Sequence, residues 1–196
     1  MADCSTLNPA NRSSGRPLSA LVLIGFMGAG KSSVGRQLAA DLGWGFIDLD
    51  DRIVARERRS IPEIFRESGE VAFREMETRA LRQVLGEVLA GCRAVVALGG
   101  GAYAELENEL LIGQAGLPVV FLDAPLSELR ERCRLAAEAR PLFQDQERFE
   151  SLYDIRREHY LRATFRVDTT GKQIEAVARE ILDMFTGRIE DLHARP

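Results

Sequence analysis

The chain has 196 residues, 45% of them hydrophobic and 29% charged, the mixture of a globular domain able to bury a sizeable core. Its 26 basic and 30 acidic side chains leave a net charge of −4, which argues against a nucleic-acid binder working through a broad basic face. The longest apolar run, residues 20–30, is about half of the ~20 residues that a membrane-spanning helix needs.

Residues 1–19 are polar and lack an apolar h-region, so a flexible tail is expected there rather than a secretory signal. Order begins at Leu21-Val22-Leu23-Ile24, a short apolar run suited to a strand buried on both faces of a parallel sheet. From Ser32 the period changes, and Val34, Leu38 and Leu42 mark a helix that Gly43 can end. Phe46-Ile47-Asp48-Leu49 reads as a second strand, with Asp48, Asp50 and Asp51 at its carboxyl end. Ser60-Ile61-Pro62-Glu63 is a capping-box helix start, Gly69 interrupts, and a longer helix is expected from about residue 70 to 89. Further strands are expected at residues 94–98, 119–122 and 165–167, and Ile174, Val177, Ile181 and Leu182 mark a last amphipathic helix. Strands alternating with helices predict an α/β fold with a mainly parallel sheet. Cys4, Cys92 and Cys133 are too scattered for a disulfide framework or a metal site, and with only two histidines a zinc centre is not expected.

Gly25-Phe26-Met27-Gly28-Ala29-Gly30-Lys31-Ser32 fits G-x-x-x-x-G-K-[ST] in full, between an apolar strand and an amphipathic helix. Its glycines let backbone N–H groups point at phosphates, the following helix adds its positive end, Lys31 would span the β- and γ-phosphates, and Ser32 would hold Mg²⁺. In Asp48-Leu49-Asp50 strand alternation would point both carboxylates the same way, toward that loop, with Asp51 the better candidate for a helix cap. Arg74 has acidic neighbours at i+1 and i+3 and reads equally as a surface pair with Glu77, worth tenths of a kcal/mol. Arg140 precedes Pro141 in a polar stretch that reads as a flap or a plain loop, and Arg156 and Arg157 lie on the next helix. Gly99-Gly100-Gly101 directly after a strand excludes bulk at the end of the sheet where open α/β folds bind ligands, unless it is only a tight turn.

Taken together, these residues resemble the shikimate kinases, members of the nucleoside-monophosphate-kinase-like P-loop group. The resemblance runs from about Leu21 to Phe185 through GFMGAGKSS, FIDLD, SIPEIFRESGEVAFREMET, VVALGGGA, ARPLF and RVDTT, in the family's order. It implies a three-layer α/β/α fold with a five-stranded parallel sheet, as a single domain over residues 20–186. The domain would carry a substrate-binding helical segment at about 50–80 and a lid at about 136–148, with a C-terminal tail at 187–196. It implies transfer of the ATP γ-phosphoryl group to the 3-hydroxyl of shikimate, a step toward chorismate and the aromatic amino acids.

By resemblance, Asp50 would bind the ring hydroxyls, Arg74 and Arg156 would hold the shikimate carboxylate, and Gly100 and Gly101 would line the pocket. Gly28, Ala29, Gly30, Lys31, Ser32 and Ser33 would cradle the phosphates, with Asp48 a water-mediated partner of Mg²⁺. Arg140 would reach the phosphates, and Arg132 or Arg134 would lie near adenine. Arg156-Arg157-Glu158-His159-Tyr160 departs from the family's Arg-x-Pro-Leu-Tyr, and spacing to Tyr160 favours Arg156 over Arg157 as the carboxylate ligand. Arg140 to Phe143 is a milder departure, ending in Leu-Phe rather than two leucines. The expectation is a cytoplasmic monomer acting on ATP and a small molecule, with no nucleic acid or membrane partner. The alternatives are a gluconate or nucleotide kinase, or a nucleotide-binding regulator without catalysis.

Overall fold

A computed structural model describes residues 18–135 and 146–189 of the chain. Strand β1 (Ala20–Ile24) is buried along its whole length, because both of its edges are paired and both of its faces are covered. It lies at the centre of a five-stranded sheet of order β2-β3-β1-β4-β5, with β2 at Gly45–Asp48, β3 at Ala94–Ala97, β4 at Val119–Asp123 and β5 at Phe165–Asp168. Every pairing is parallel. Helices α1 (Lys31–Leu42), α2 (Leu49–Glu57), α3 (Ile61–Leu89), α4 (Leu106–Ala115), α5 (Leu126–Leu135) and α6 (Gln146–Tyr160) supply the crossovers, and α7 (Ile174–Ile189) follows the last strand. α1 packs with α7 and α3 with α4, giving helical layers against the sheet. Leu21, Leu23, Ile24, Leu38, Leu81, Phe121 and Phe185 fill the core, each side chain contributing about 1.5–3 kcal/mol by burial.

The chain leaves β1 toward β2 and β3 on one side and returns to β4 on the other, so a crevice opens at the carboxyl ends of β1, β3 and β4. The turn after β1 is made at Gly25, whose φ of 147° suits only glycine, and a Cβ there would meet the Leu122 carbonyl oxygen at 2.7 Å. The strand after α1 stops one residue earlier than expected. Leu49 opens α2, and Asp48, with extended backbone, is its N-cap, accepting the Asp50 N–H at 3.1 Å. Asp51 is not the cap, because it already lies inside the first helical turn, where its side chain is exposed. The two carboxylates of Asp48 and Asp50 therefore do not follow strand alternation.

α3 starts at the expected capping box, with Ser60 and Glu63 exchanging hydrogen bonds. Gly69 (φ 79°, ψ 174°) breaks the helical path, so residues 61–68 and 70–89 run as two segments. Cys92 is exposed and Cys133 buried, while Cys4 lies outside the described residues. No helix among the described residues is long and apolar enough to cross a membrane. Helix α7 continues to Ile189, past the expected start of the C-terminal tail at 187, and the rest of both tails, Arg140 and most of the expected lid lie outside the described residues.

Two glycine substitutions should move stability in opposite directions in urea unfolding. Gly25→Ala puts a methyl group against a backbone carbonyl at positive φ and should cost at least about 2 kcal/mol. Gly86→Ala, within α3 and with nothing within 4 Å of the new Cβ, should gain about 0.5–1 kcal/mol.

Candidate active site

The loop between β1 and α1 walls a cavity of about 430 Å³ with residues 27–34 on one side and Arg132 and Thr169 on the other. Lys31 Nζ donates to the carbonyl oxygens of Gly25 (2.8 Å) and Phe26 (3.0 Å), so the ammonium is held over its own loop. The Ser32 hydroxyl donates to Asp48 Oδ2 at 2.7 Å, which ties the loop to the end of β2. Arg132 is braced by Glu128 at 2.5 Å and by the Thr169 carbonyl at 2.9 Å, with its planar group on the cavity wall. Arg134 pairs instead with Glu131 at 2.7 Å on the exposed side of α5.

A second cavity of about 560 Å³ shares Met27, Lys31 and Ser32 with the first and extends over the carboxyl end of β3. Its floor is Gly99-Gly100-Gly101, and the glycines are there for space. A Cβ on Gly99 would lie 2.7 Å from Asp50 Oδ1 and 2.9 Å from Glu77 Oε1. One on Gly100 would lie 3.3 Å from Arg156, and one on Gly101 would lie 2.6 Å from Arg74 Nη2. The triplet thus lets four charged side chains, from α2, α3 and α6, rest on the backbone. Phe65 and Phe73, with ring centroids 4.6 Å apart, form an apolar wall from α3. Asp48 and Asp50 both line this cavity but diverge, the first toward Ser32 and the second toward Gly99.

α6 is held so that Arg156 faces inward. Arg157 donates to Asp123 at 3.1 Å, at the buried end of β4, and Arg166 also pairs with that carboxylate. The Tyr160 hydroxyl donates to the Gly100 carbonyl, and burial above all raises its pKa, keeping it protonated. Arg156 lies over the ring of Phe26, 5.9 Å from its centroid, and Phe26 packs edge-on against Phe149 and Tyr153 of the same helix. Burial, with Arg74 nearby adding to it, pulls the Arg156 pKa below its ordinary value, yet the group stays cationic.

Glu77 is the principal residue that sequence reasoning misjudged. It is 1% exposed and accepts from Arg74 Nη1 at 2.7 Å, so this is a buried pair rather than a surface one. Burial pushes its carboxyl up to about 7, Arg74 opposes the rise, and Asp50 adds to it. Burial works to lower the Arg74 pKa, but Glu77, then Glu105 and Glu70, more than offset it and leave the group firmly charged. The only signal in the sequence was the i,i+3 spacing, which says nothing about which face of α3 is covered. Asn108 was also missed. It is fully buried and donates to the Ala102 carbonyl at 2.9 Å, bracing the turn that follows the glycines.

Among the described residues no group of three or more His, Cys, Asp or Glu side chains gathers as a metal site. The Ser32 hydroxyl and Asp48 carboxylate offer two hard oxygens side by side, a donor set that fits Mg²⁺, which keeps most of its waters and takes few protein ligands.

The chain matches the profile of the family described as Shikimate kinase over residues 27–186. It is 45% identical over 171 residues to the shikimate kinase of Geobacter metallireducens, covering 86% of this chain and 92% of that one. Among solved structures it superposes with a TM-score of 0.77 on the shikimate kinase from Acinetobacter baumannii in complex with shikimate, at 33% identity over 87% of this chain and 94% of that one. A gluconokinase from Sinorhizobium meliloti, at 22% identity and TM-score 0.60 over 91% of this chain and 98% of that one, shares the fold alone. That fold is the α/β/α sandwich of P-loop kinases.

Because Glu77 ionises near 7 in the folded chain and at about 4.5 when unfolded, the native state holds more protons between those values. Its contribution to stability therefore falls as pH rises from about 4.5 to 7 and stays low above that, the reverse of an ion-paired surface carboxylate. Unfolding of the native protein and of Glu77→Gln, compared from pH 4.5 to 8, should show a difference that shrinks by on the order of 2–3 kcal/mol across the window. A pH-independent difference would place the Glu77 carboxyl in the ordinary range.

Proposed function

The chain belongs to the shikimate kinase family, and on that premise we propose how its residues transfer the γ-phosphoryl group of ATP to the 3-hydroxyl of shikimate, giving shikimate 3-phosphate and ADP. The observation that carries the reading is the shared seam: Lys31 and Ser32 line both the nucleotide-sized cavity and the cavity floored by glycines. A donor bound on one side and an acceptor on the other would meet at those two side chains.

In this reading the shikimate carboxylate takes planar donors from Arg74 and Arg156, and Gly100 and Gly101 admit the ring close to the backbone. Asp50 receives the ring hydroxyls, orients the attacking oxygen and accepts its proton as the new bond forms. Backbone N–H groups of Gly28, Ala29, Gly30, Lys31, Ser32 and Ser33 cradle the phosphates. Lys31 then exchanges its loop carbonyls for the β- and γ-phosphates, and Arg132 flanks the base. Arg140, on the expected lid, would close over the phosphates and exclude water as a competing acceptor. Ser32 and Asp48 would hold Mg²⁺, Ser32 directly and Asp48 through water, and the ion when bound neutralises charge on the phosphates. Transfer is in line and direct, with no phosphorylated side chain as an intermediate, so these residues act by positioning and charge neutralisation.

An ADP-release assay with ATP and Mg²⁺ over shikimate, gluconate and nucleoside monophosphates tests the substrate. Turnover is expected with shikimate, and turnover confined to another acceptor would refute the reading. Gly101→Ala should displace the Arg74 guanidinium and raise the KM for shikimate about tenfold or more while leaving the KM for ATP near its native value. An equal rise in both would mean that the glycine serves the fold rather than the acceptor site.

A further inference from the structure

Arg74 stands as a wall between two spaces. Inward lies the glycine-floored cavity, and outward lies a surface groove of about 630 Å³ beside α3 that Glu70 and Glu105 help to line. On the inner side Nη1 donates to the buried Glu77. On the outer side Nη2 lies 3.4 Å from Glu70 and Nε 3.5 Å from Glu105, both too long for strong hydrogen bonds. The Nε–Nη2 edge is one of the two a carboxylate can grip with parallel bonds, so two of the protein's own carboxylates already face it.

The balance of charge around the clamp is unfavourable to an anion. Glu77 and Asp50 crowd the same point above Gly99, and Glu70 and Glu105 stand outside, so four carboxylates surround the guanidiniums of Arg74 and Arg156. Glu70 sits one turn from Arg74 on the same helix. Glu105 comes from a different element, the residue before α4, where its side chain makes no capping hydrogen bond and is 45% exposed. Neither local helix geometry nor the α4 cap requires an acid at that position.

We propose that Glu105, backed by Glu70, is a competing internal anion that occupies the outer edge of Arg74 and sets the affinity for the substrate carboxylate by holding it down. This rests on the reading of Arg74 as the carboxylate clamp. A carboxylate bound on the inner side of Arg74 stays within several ångströms of both charges. The repulsion weakens every anion at the clamp, so abundant inorganic anions, which have no ring hydroxyls to offer Asp50, gain no foothold there. Shikimate keeps its hydroxyl contacts and binds despite the penalty.

The test compares native protein, Glu105→Gln and Arg74→Met for KM toward shikimate, toward shikimate methyl ester and toward ATP, at low and high salt. Glu105→Gln should lower the KM for shikimate roughly three- to tenfold, with the KM for ATP and for the uncharged ester unmoved and the gain shrinking in high salt. A KM for shikimate that stays the same or rises overturns the proposal, a rise meaning that Glu105 steadies Arg74 for binding. A KM for the ester that falls as much as that for the acid overturns it too, since the effect would not be one of charge. Arg74→Met separates the two layers. Loss of affinity for the acid but not the ester keeps the clamp whatever Glu105 does, whereas an unchanged KM removes the clamp and the proposal with it.

Discussion

Gly99 and Gly101 have no room for a methyl group and Gly100 has little, and the arrangement of the site follows from that crowding. Each glycine takes a charged group from a different direction: Asp50 and Glu77 at the first, Arg156 at the second and Arg74 at the third. Since α2, α3 and α6 each send a charged side chain to this point, the end of β3 acts as the template on which separate segments align their charges. Any side chain there would push a guanidinium or a carboxylate away from the common cavity, and a displacement of 1 Å matters for groups that must meet a small polar molecule on several sides at once.

Holding like charges this close is expensive, and the fold offsets it with pairing and bracing. The buried Glu77 is tolerated because Arg74 lies at 2.7 Å, and Arg74 is in turn surrounded by acids. α6 is fastened at its ends by chemistry that is not catalytic: Phe149 packs on Phe26, Arg157 is tied to Asp123, and Tyr160 to the Gly100 carbonyl. Those contacts leave Arg156 as the guanidinium of this helix that lines the cavity. Phe26 belongs to the glycine-rich loop after β1, so the helix presenting Arg156 rests directly on that loop, and the two cavities share one packing unit.

The phosphate loop itself was legible from spacing alone, because its function is carried by the backbone of consecutive residues and needs no distant partner. The same holds for the capping box at Ser60 and the break at Gly69, where propensity and φ decide locally. Asp48 and Asp50 were found but wrongly aimed. The strand ends at Asp48 because its carboxylate can satisfy the Asp50 amide, and a cap changes the direction of everything after it. Arg156 and Arg157 are neighbours in sequence but point ~100° apart on a helix, so only packing could send one to the cavity and the other to Asp123.

The sequence by itself determined the alternation of strands and helices, the phosphate-binding loop, the glycine triplet and the family to which the chain belongs, since each is written in short-range order. Tertiary structure alone decided that Glu77 is buried, that Arg157 is a strut and that Glu105 reaches Arg74 from outside. The physical reason is the range of the forces. Backbone conformation depends on adjacent residues, whereas burial and ion pairing depend on which groups the fold brings within a few ångströms. Glu77 meets Asp50 over Gly99, and Arg74 meets Glu105 and Arg156, only after the sheet has assembled.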